Sequence, residues 1–161
     1  MLEEAIIRIS PLIPLEDIFI ATNQVLVEAI RICLPQIPPE NIIPEPAKLN
    51  TAPCLALATA YVSARYPNDV LSVAVLTTDQ NIFPNEKFLA SVETALDYAE
   101  NNSQLVIIGI PPTKSETGYG YIETAVPFKN DENLEIQKVI RFCEKPSFAT
   151  AQEYISMGRF T

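Results

Sequence analysis

Two apolar runs, VLSVAVLTTD at 70–79 and LVIIGI at 105–110, constrain the fold more than any other feature of the chain. Their central stretches, VAVL and LVIIGI, are continuously apolar rather than alternating, so they read as strands buried on both faces, as in a mostly parallel sheet covered by helices. The surrounding sequence repeats one rhythm. IFIAT (18–22) precedes helical period over 23–34, NIIPE (41–45) precedes helical period over 51–65, and the 70–79 run precedes helical period over 84–101. After LVIIGI come two more strand-like runs, YIETAV (121–126) and KVIRFCEK (138–145), and a helix over 148–157 that Gly158 can close. Residues 2–9 also have helical period. Prolines sit at element edges, where a missing N–H does least harm. The pattern predicts an α/β class with an open, mostly parallel sheet and flanking helices, and no repeats.

At 161 residues the chain has the size of one ordinary domain, and residues 1–161 are read as a single domain. A net charge of −9 argues against a nucleic-acid polymer as partner, because that needs a basic face. Phosphate contacts should be local and made by a few placed lysines. No apolar run approaches 18 residues, and MLEEAIIRIS lacks a basic segment followed by an apolar one, so no membrane partner and a cytoplasmic setting are expected. The chain has no histidine, which removes imidazole catalysis and histidine–metal sites. Cys33, Cys54 and Cys143 lie far apart in apolar runs and read as small buried hydrophobes.

In an open α/β sheet, ligands bind beyond the carboxyl ends of the strands. Three polar stretches fall there, and a fourth, glycine-bearing stretch stands apart. In EPAKLNTAP (45–53), Asn50 or Thr51 can cap the following helix and present free N–H groups to an anion, or be a cap and nothing more. In VLTTDQN, Asp79 can offer oxygen to a hard cation or be a turn residue. In FCEKP, Glu144 can accept from hydroxyls and Lys145 can meet a phosphate, or the two form a solvated pair. TGYGY (117–121) holds two of the chain's four glycines, suited to close approach of backbone to a ligand or to a plain turn.

Taken in order, EPAKLNTAP, a strand ending in Asp79, GIPPTKSETGYGYIE and FCEKP closely resemble bacterial mannose-1-phosphate guanylyltransferases (GDP-mannose pyrophosphorylases), and the resemblance covers essentially the whole chain. It implies a Rossmann-like nucleotidyltransferase fold. It also implies an enzyme that transfers GMP from GTP to mannose 1-phosphate, giving GDP-mannose and pyrophosphate, with magnesium (Mg2+) as cofactor. Carried over by position, it puts Glu45, Asn50, Thr51 and Ala52 around the nucleotide and Asp79 on the metal. Glu116, Thr117, Gly118, Tyr119, Gly120 and Glu144 then surround the sugar, and Lys145 meets its phosphate. The Glu45 carboxylate could accept from guanine N1–H and N2–H2, favouring that base.

The chain departs from the family pattern in three places. Leu49 stands where a basic residue is usual, and Gln80 where a histidine often follows the aspartate. The family's first strand and its glycine-rich, triphosphate-cradling loop have no counterpart, since glycine occurs only at 109, 118, 120 and 158. The expectation is therefore the central part of a catalytic domain, with strand edges and apolar surface uncovered. Such a chain, isolated, is expected to be inactive as a transferase, and poorly soluble unless its sheet is rearranged or partnered, as in a homo-oligomer. Two alternatives remain: a non-catalytic sugar-nucleotide-binding remnant, or a nucleotidyltransferase for another sugar phosphate.

Overall fold

A computed structural model describes residues 1–48, 50–126 and 136–161. They fall into two compact units, Met1–Ser103 and Gln104–Thr161.

The first unit is built on a β–α–β step. Strand β1 (Ile20–Asn23) leads through one 3-10 turn into helix α2 (Val27–Cys33), and the chain returns as β2 (Ile42–Glu45), parallel to β1 with Ile20 opposite Ile42 and Asn23 opposite Glu45. Asn23 starts the turn by accepting from the Leu26 N–H at 3.1 Å. Helix α1 (Leu2–Ile9) has acidic Glu3 and Glu4 in its first turn and Arg8 in its last, as the helix dipole favours. Its Ala5, Ile6 and Ile9 are buried. Ile6 joins Ile20, Val27, Leu34, Ile37 and Ile42 in one core, each large aliphatic there being worth about 1.5–3 kcal/mol of burial. Asn41, fully buried, donates to the Glu16 carbonyl at 2.7 Å and the Ile18 carbonyl at 3.1 Å, pinning the approach to β1 against the approach to β2. Two longer helices complete the unit, α3 (Thr51–Arg65) and α4 (Asn85–Asn102), and α1 meets α4 with the Arg8 guanidinium 5.8 Å from the centre of the Phe88 ring.

The second unit is an antiparallel ladder. Strand β3 (Tyr121–Thr124) pairs with β4 (Val139–Cys143), Tyr121 opposite Cys143, with an irregularity between Glu123 and Thr124. The last residues add to its other edge. Ile122 N–H donates to the Thr161 carbonyl at 2.7 Å, Thr161 N–H to Ile122 at 3.0 Å, and Thr124 N–H to Arg159 at 2.9 Å. Between them runs helix α5 (Phe148–Met157), capped by the Ser147 hydroxyl, which accepts from the Thr150 N–H at 3.2 Å, and ended by Gly158 at φ 64°. Tyr121, Ala151 and Phe160 form the core, with Tyr154 stacked on Phe160 at 4.0 Å.

The expected helices over 2–9, 51–65 and 148–157 match the structure residue for residue. The two runs read as central strands do not form ladders. Residues 70–77 and 104–110 are irregular and pair with no strand among the described residues. Their apolar side chains are largely exposed, Val70 at 95%, Val75 at 59% and Leu105 at 101%. The physical reason is that a strand exists only through its neighbours: β propensity supplies little without a partner edge. The burial expected for the cysteines also fails in part, since Cys33 is exposed while Cys54 and Cys143 are half-buried. The Leu49 departure lies outside the described residues.

Candidate functional site

In the first unit, the candidates follow β2 and open α3. Glu45 is the last residue of β2 and half-buried. Asn50 sits at the N-cap of α3 with φ 66° and ψ −165°, a region that glycine almost alone visits, and its side chain makes no capping bond. Thr51 and Ala52 occupy the first helical turn, exposed, so the N–H groups there remain open toward solvent. The Glu45 carboxylate reaches this turn: it accepts a hydrogen bond from the Cys54 thiol, and that bond, with some burial, pushes the thiol above its ordinary value. Thus the structure gathers Glu45, Asn50, Thr51 and Ala52 at one strand-to-helix junction.

Asp79 stands in the irregular segment after 70–77 and is exposed. Among the described residues no group of three metal-binding side chains is assembled. That donor set does not make a protein-built cage, but it fits magnesium, which takes one or two carboxylates and completes its shell with water and substrate phosphates.

In the second unit the ladder register does the positioning. Because Tyr121 faces Cys143 in an antiparallel pair, the residues entering β3 and those leaving β4 lie at the same end. That end carries Glu116, Thr117, Gly118, Tyr119 and Gly120 on one side and Glu144 and Lys145 on the other. The Tyr121 hydroxyl donates to the Glu116 carbonyl and accepts from the Glu116 N–H, both at 3.0 Å, closing the five-residue loop on itself. Gly120 lies under the Phe142 ring, which would overlap any added Cβ, whereas Gly118 faces open space. Tyr119 is 70% exposed at the tip. Glu116 pairs with Lys114 at 2.7 Å, which holds the lysine pKa above its usual range. Lys145 pairs with Glu144, also at 2.7 Å, with the same effect, so its ammonium stays charged across neutral and moderately alkaline pH. Its backbone is left-handed, φ 39°, which turns the chain sharply out of β4. The end of the ladder thus offers carboxylate acceptors, an exposed phenol and two carboxylate-paired lysines, Lys114 and Lys145, a donor and acceptor set suited to a hydroxylated, phosphorylated molecule.

Residues 14–161 match the protein-family description Nucleotidyl transferase. The chain belongs to that family. It is 40% identical over 121 residues to a mannose-1-phosphate guanylyltransferase of Escherichia coli K12, covering 75% of this chain and 25% of that protein. It is 41% identical over 122 residues to a xanthan biosynthesis protein of Xanthomonas campestris, covering 76% of this chain and 24% of that one. A solved structure described as a mannose-1-phosphate geranyltransferase from Thermus thermophilus superposes with a TM-score of 0.79 at 28% identity, over 99% of this chain and 44% of that one. The chain therefore spans about a quarter of the length of these curated relatives. The nucleotidyltransferase fold, Rossmann-like and α/β, is the fold of this chain.

Several working residues escaped the sequence reading. Phe142 was an ordinary strand aromatic until the register set it over Gly120. Glu123, one residue past the GYGYI stretch, is buried at 5% and holds both Arg141 and Arg159, the latter at 2.7 Å, tying the three segments of the second unit together. The nearest signal was its place in a strand opposite Arg141, visible only once the pairing is known.

Proposed function

We propose that this chain is the central part of a mannose-1-phosphate guanylyltransferase, in which the β3–β4 end binds mannose 1-phosphate and the β2–α3 junction binds the guanine nucleotide. The observation that carries the reading is the Tyr121–Cys143 register, which sets the TGYG loop beside Glu144 and Lys145. Glu116, Thr117, Tyr119 and Glu144 would accept from and donate to the sugar hydroxyls, with Gly118 and Gly120 allowing close approach, and Lys145 would meet the sugar phosphate. Glu45 would accept from guanine, and the open N–H groups at Asn50, Thr51 and Ala52 would meet its polar atoms.

In the reaction, an oxygen of mannose 1-phosphate attacks the α-phosphorus of GTP. The bond from that phosphorus to the β-phosphate oxygen breaks, and pyrophosphate leaves with the electron pair. The attacking oxygen is already ionised, so no general base is needed and a chain without histidine suffers no loss. Magnesium, when bound at Asp79, supplies neutralisation of phosphate charge. The residues of this chain orient the acceptor and hold its phosphate; the glycine-rich cradle for the triphosphate is not among these 161 residues. The isolated chain should accordingly bind product and acceptor without turning over GTP.

Calorimetric titration checks this. GDP-mannose and mannose 1-phosphate should bind, UDP-glucose and dTDP-glucose should bind at least about tenfold more weakly, and Lys145→Ala should remove the mannose 1-phosphate signal. Equal binding of all three nucleotide sugars would sink the specificity. Preference for another sugar nucleotide would assign a different acceptor.

A further inference from the structure

The loop that enters β3 carries a lysine that the proposed function leaves unused. Lys114 Nζ lies 2.7 Å from Glu116 Oε1, with the two side chains 77% and 40% exposed. An ion pair this open to water adds little to folding. Its backbone is nevertheless fixed. The Glu116 N–H donates to the Lys114 carbonyl at 3.0 Å and to the Tyr121 hydroxyl at 3.0 Å. That hydroxyl donates in turn to the Glu116 carbonyl at 3.0 Å, and Tyr121 is itself 2% exposed. A buried ring therefore anchors an exposed pair. The Glu116 carboxylate, and to a lesser degree the Tyr119 phenol, raise the lysine pKa, so the ammonium stays charged and stands within electrostatic reach of the ring at the loop tip. Between the two, Gly118 faces open space.

We propose that Lys114 is a specificity-determining contact to the sugar, which together with Glu116 reads two adjacent hydroxyls of the ring. This rests on the assignment of the β3–β4 end to mannose 1-phosphate. A carboxylate only accepts and an ammonium only donates, whereas a hydroxyl does both. One hydroxyl can donate to Glu116 while its neighbour accepts from Lys114, so a vicinal diol satisfies both members of the pair without separating them. The bond to Glu116 uses one of the three ammonium donors and leaves two for the ligand. A carboxylate alone would accept from either hydroxyl. The fixed donor beside it sets which of the two lies where, and so orients the ring. Lys145 stands on the other side of the ladder end, after β4, and keeps the phosphate, so the two lysines divide the ligand between them.

Calorimetry on the whole chain tests this with mannose 1-phosphate and its four monodeoxy analogues, each lacking one sugar hydroxyl. Lys114→Met should weaken mannose 1-phosphate about tenfold, and Lys114→Arg should weaken it less. The decisive quantity is the coupling between protein and ligand changes. For the one analogue that lacks the hydroxyl served by Lys114, Lys114→Met should cost no more than about twofold, while the other analogues keep the full loss. Glu116→Ala should couple in the same way to the neighbouring position on the ring. Equal weakening of every ligand by Lys114→Met would overturn the proposal, because a phosphate contact or a change of loop shape acts on all of them alike. Coupling of the two residues to hydroxyls that are not adjacent would overturn the diol. Affinity unchanged by Lys114→Met would overturn the contact altogether, leaving a solvated surface pair. None of these results touches mannose 1-phosphate binding by the unsubstituted chain, whereas absence of that binding would remove the proposed function and this contact with it.

Discussion

The two units use sheets of the same size and finish them differently. In the second, β3 is paired on both edges, by β4 on one and by residues 159–161 on the other, and Glu123 binds Arg141 and Arg159 across all three segments. In the first, β1 is paired on one edge only among the described residues, and the apolar run at 70–77 is largely exposed. The difference shows what an apolar β-prone sequence can and cannot do alone. Phe160 lies on the paired edge of β3 and Val75 in the irregular run, and Phe160 is 2% exposed whereas Val75 is 59% exposed. The partner edge separates them, not the residue type.

The largest effect that can break this comparison is Phe160→Ala. Losing a buried, stacked ring should cost about 3–5 kcal/mol and release the terminal segment, whereas Val75→Ser should stay within about 0.5 kcal/mol. Urea denaturation followed by circular dichroism measures both, and a Val75→Ser cost approaching that of Phe160→Ala would show that the 70–77 run is buried in solution.

A smaller effect sharpens the nucleotide side. The hydrogen bond to Glu45 raises the Cys54 pKa, so the thiol form is the one the fold favours. A raised folded value gives stability that is complete below the unfolded thiol pKa of about 8.5 and is lost as pH rises through the folded value. Because the thiolate is the nucleophile, iodoacetamide at pH 8.5 should label Cys54 several-fold more slowly than the exposed Cys33, as read by peptide mass spectrometry. Glu45→Gln should narrow that gap by removing the carboxylate charge. Equal labelling in the unsubstituted chain would separate Glu45 from the α3 turn and unmake the junction.

Most of the helices and the paired strands were legible in the sequence because their signals are local: the apolar face of α1, and Gly158 after α5. The candidate loop at 116–120 was legible because scarce glycines stood beside hydrogen-bonding side chains. What escaped was set by pairing. The fate of VLSVAVL and LVIIGI depended on edges that no local pattern encodes, and the contact of Phe142 with Gly120 depended on register. Cys33 is exposed despite its apolar neighbours because they lie on a short helix, α2, whose only buried residue is Val27.

Hydrogen–deuterium exchange of the chain with and without mannose 1-phosphate tests the central claim most directly, because it locates binding as well as detecting it. The account predicts slowed exchange confined to 114–121 and 143–146, the two segments that the Tyr121–Cys143 register brings to one end of the ladder. Binding that leaves both segments unchanged would contradict the assignment of the sugar-phosphate site to this end.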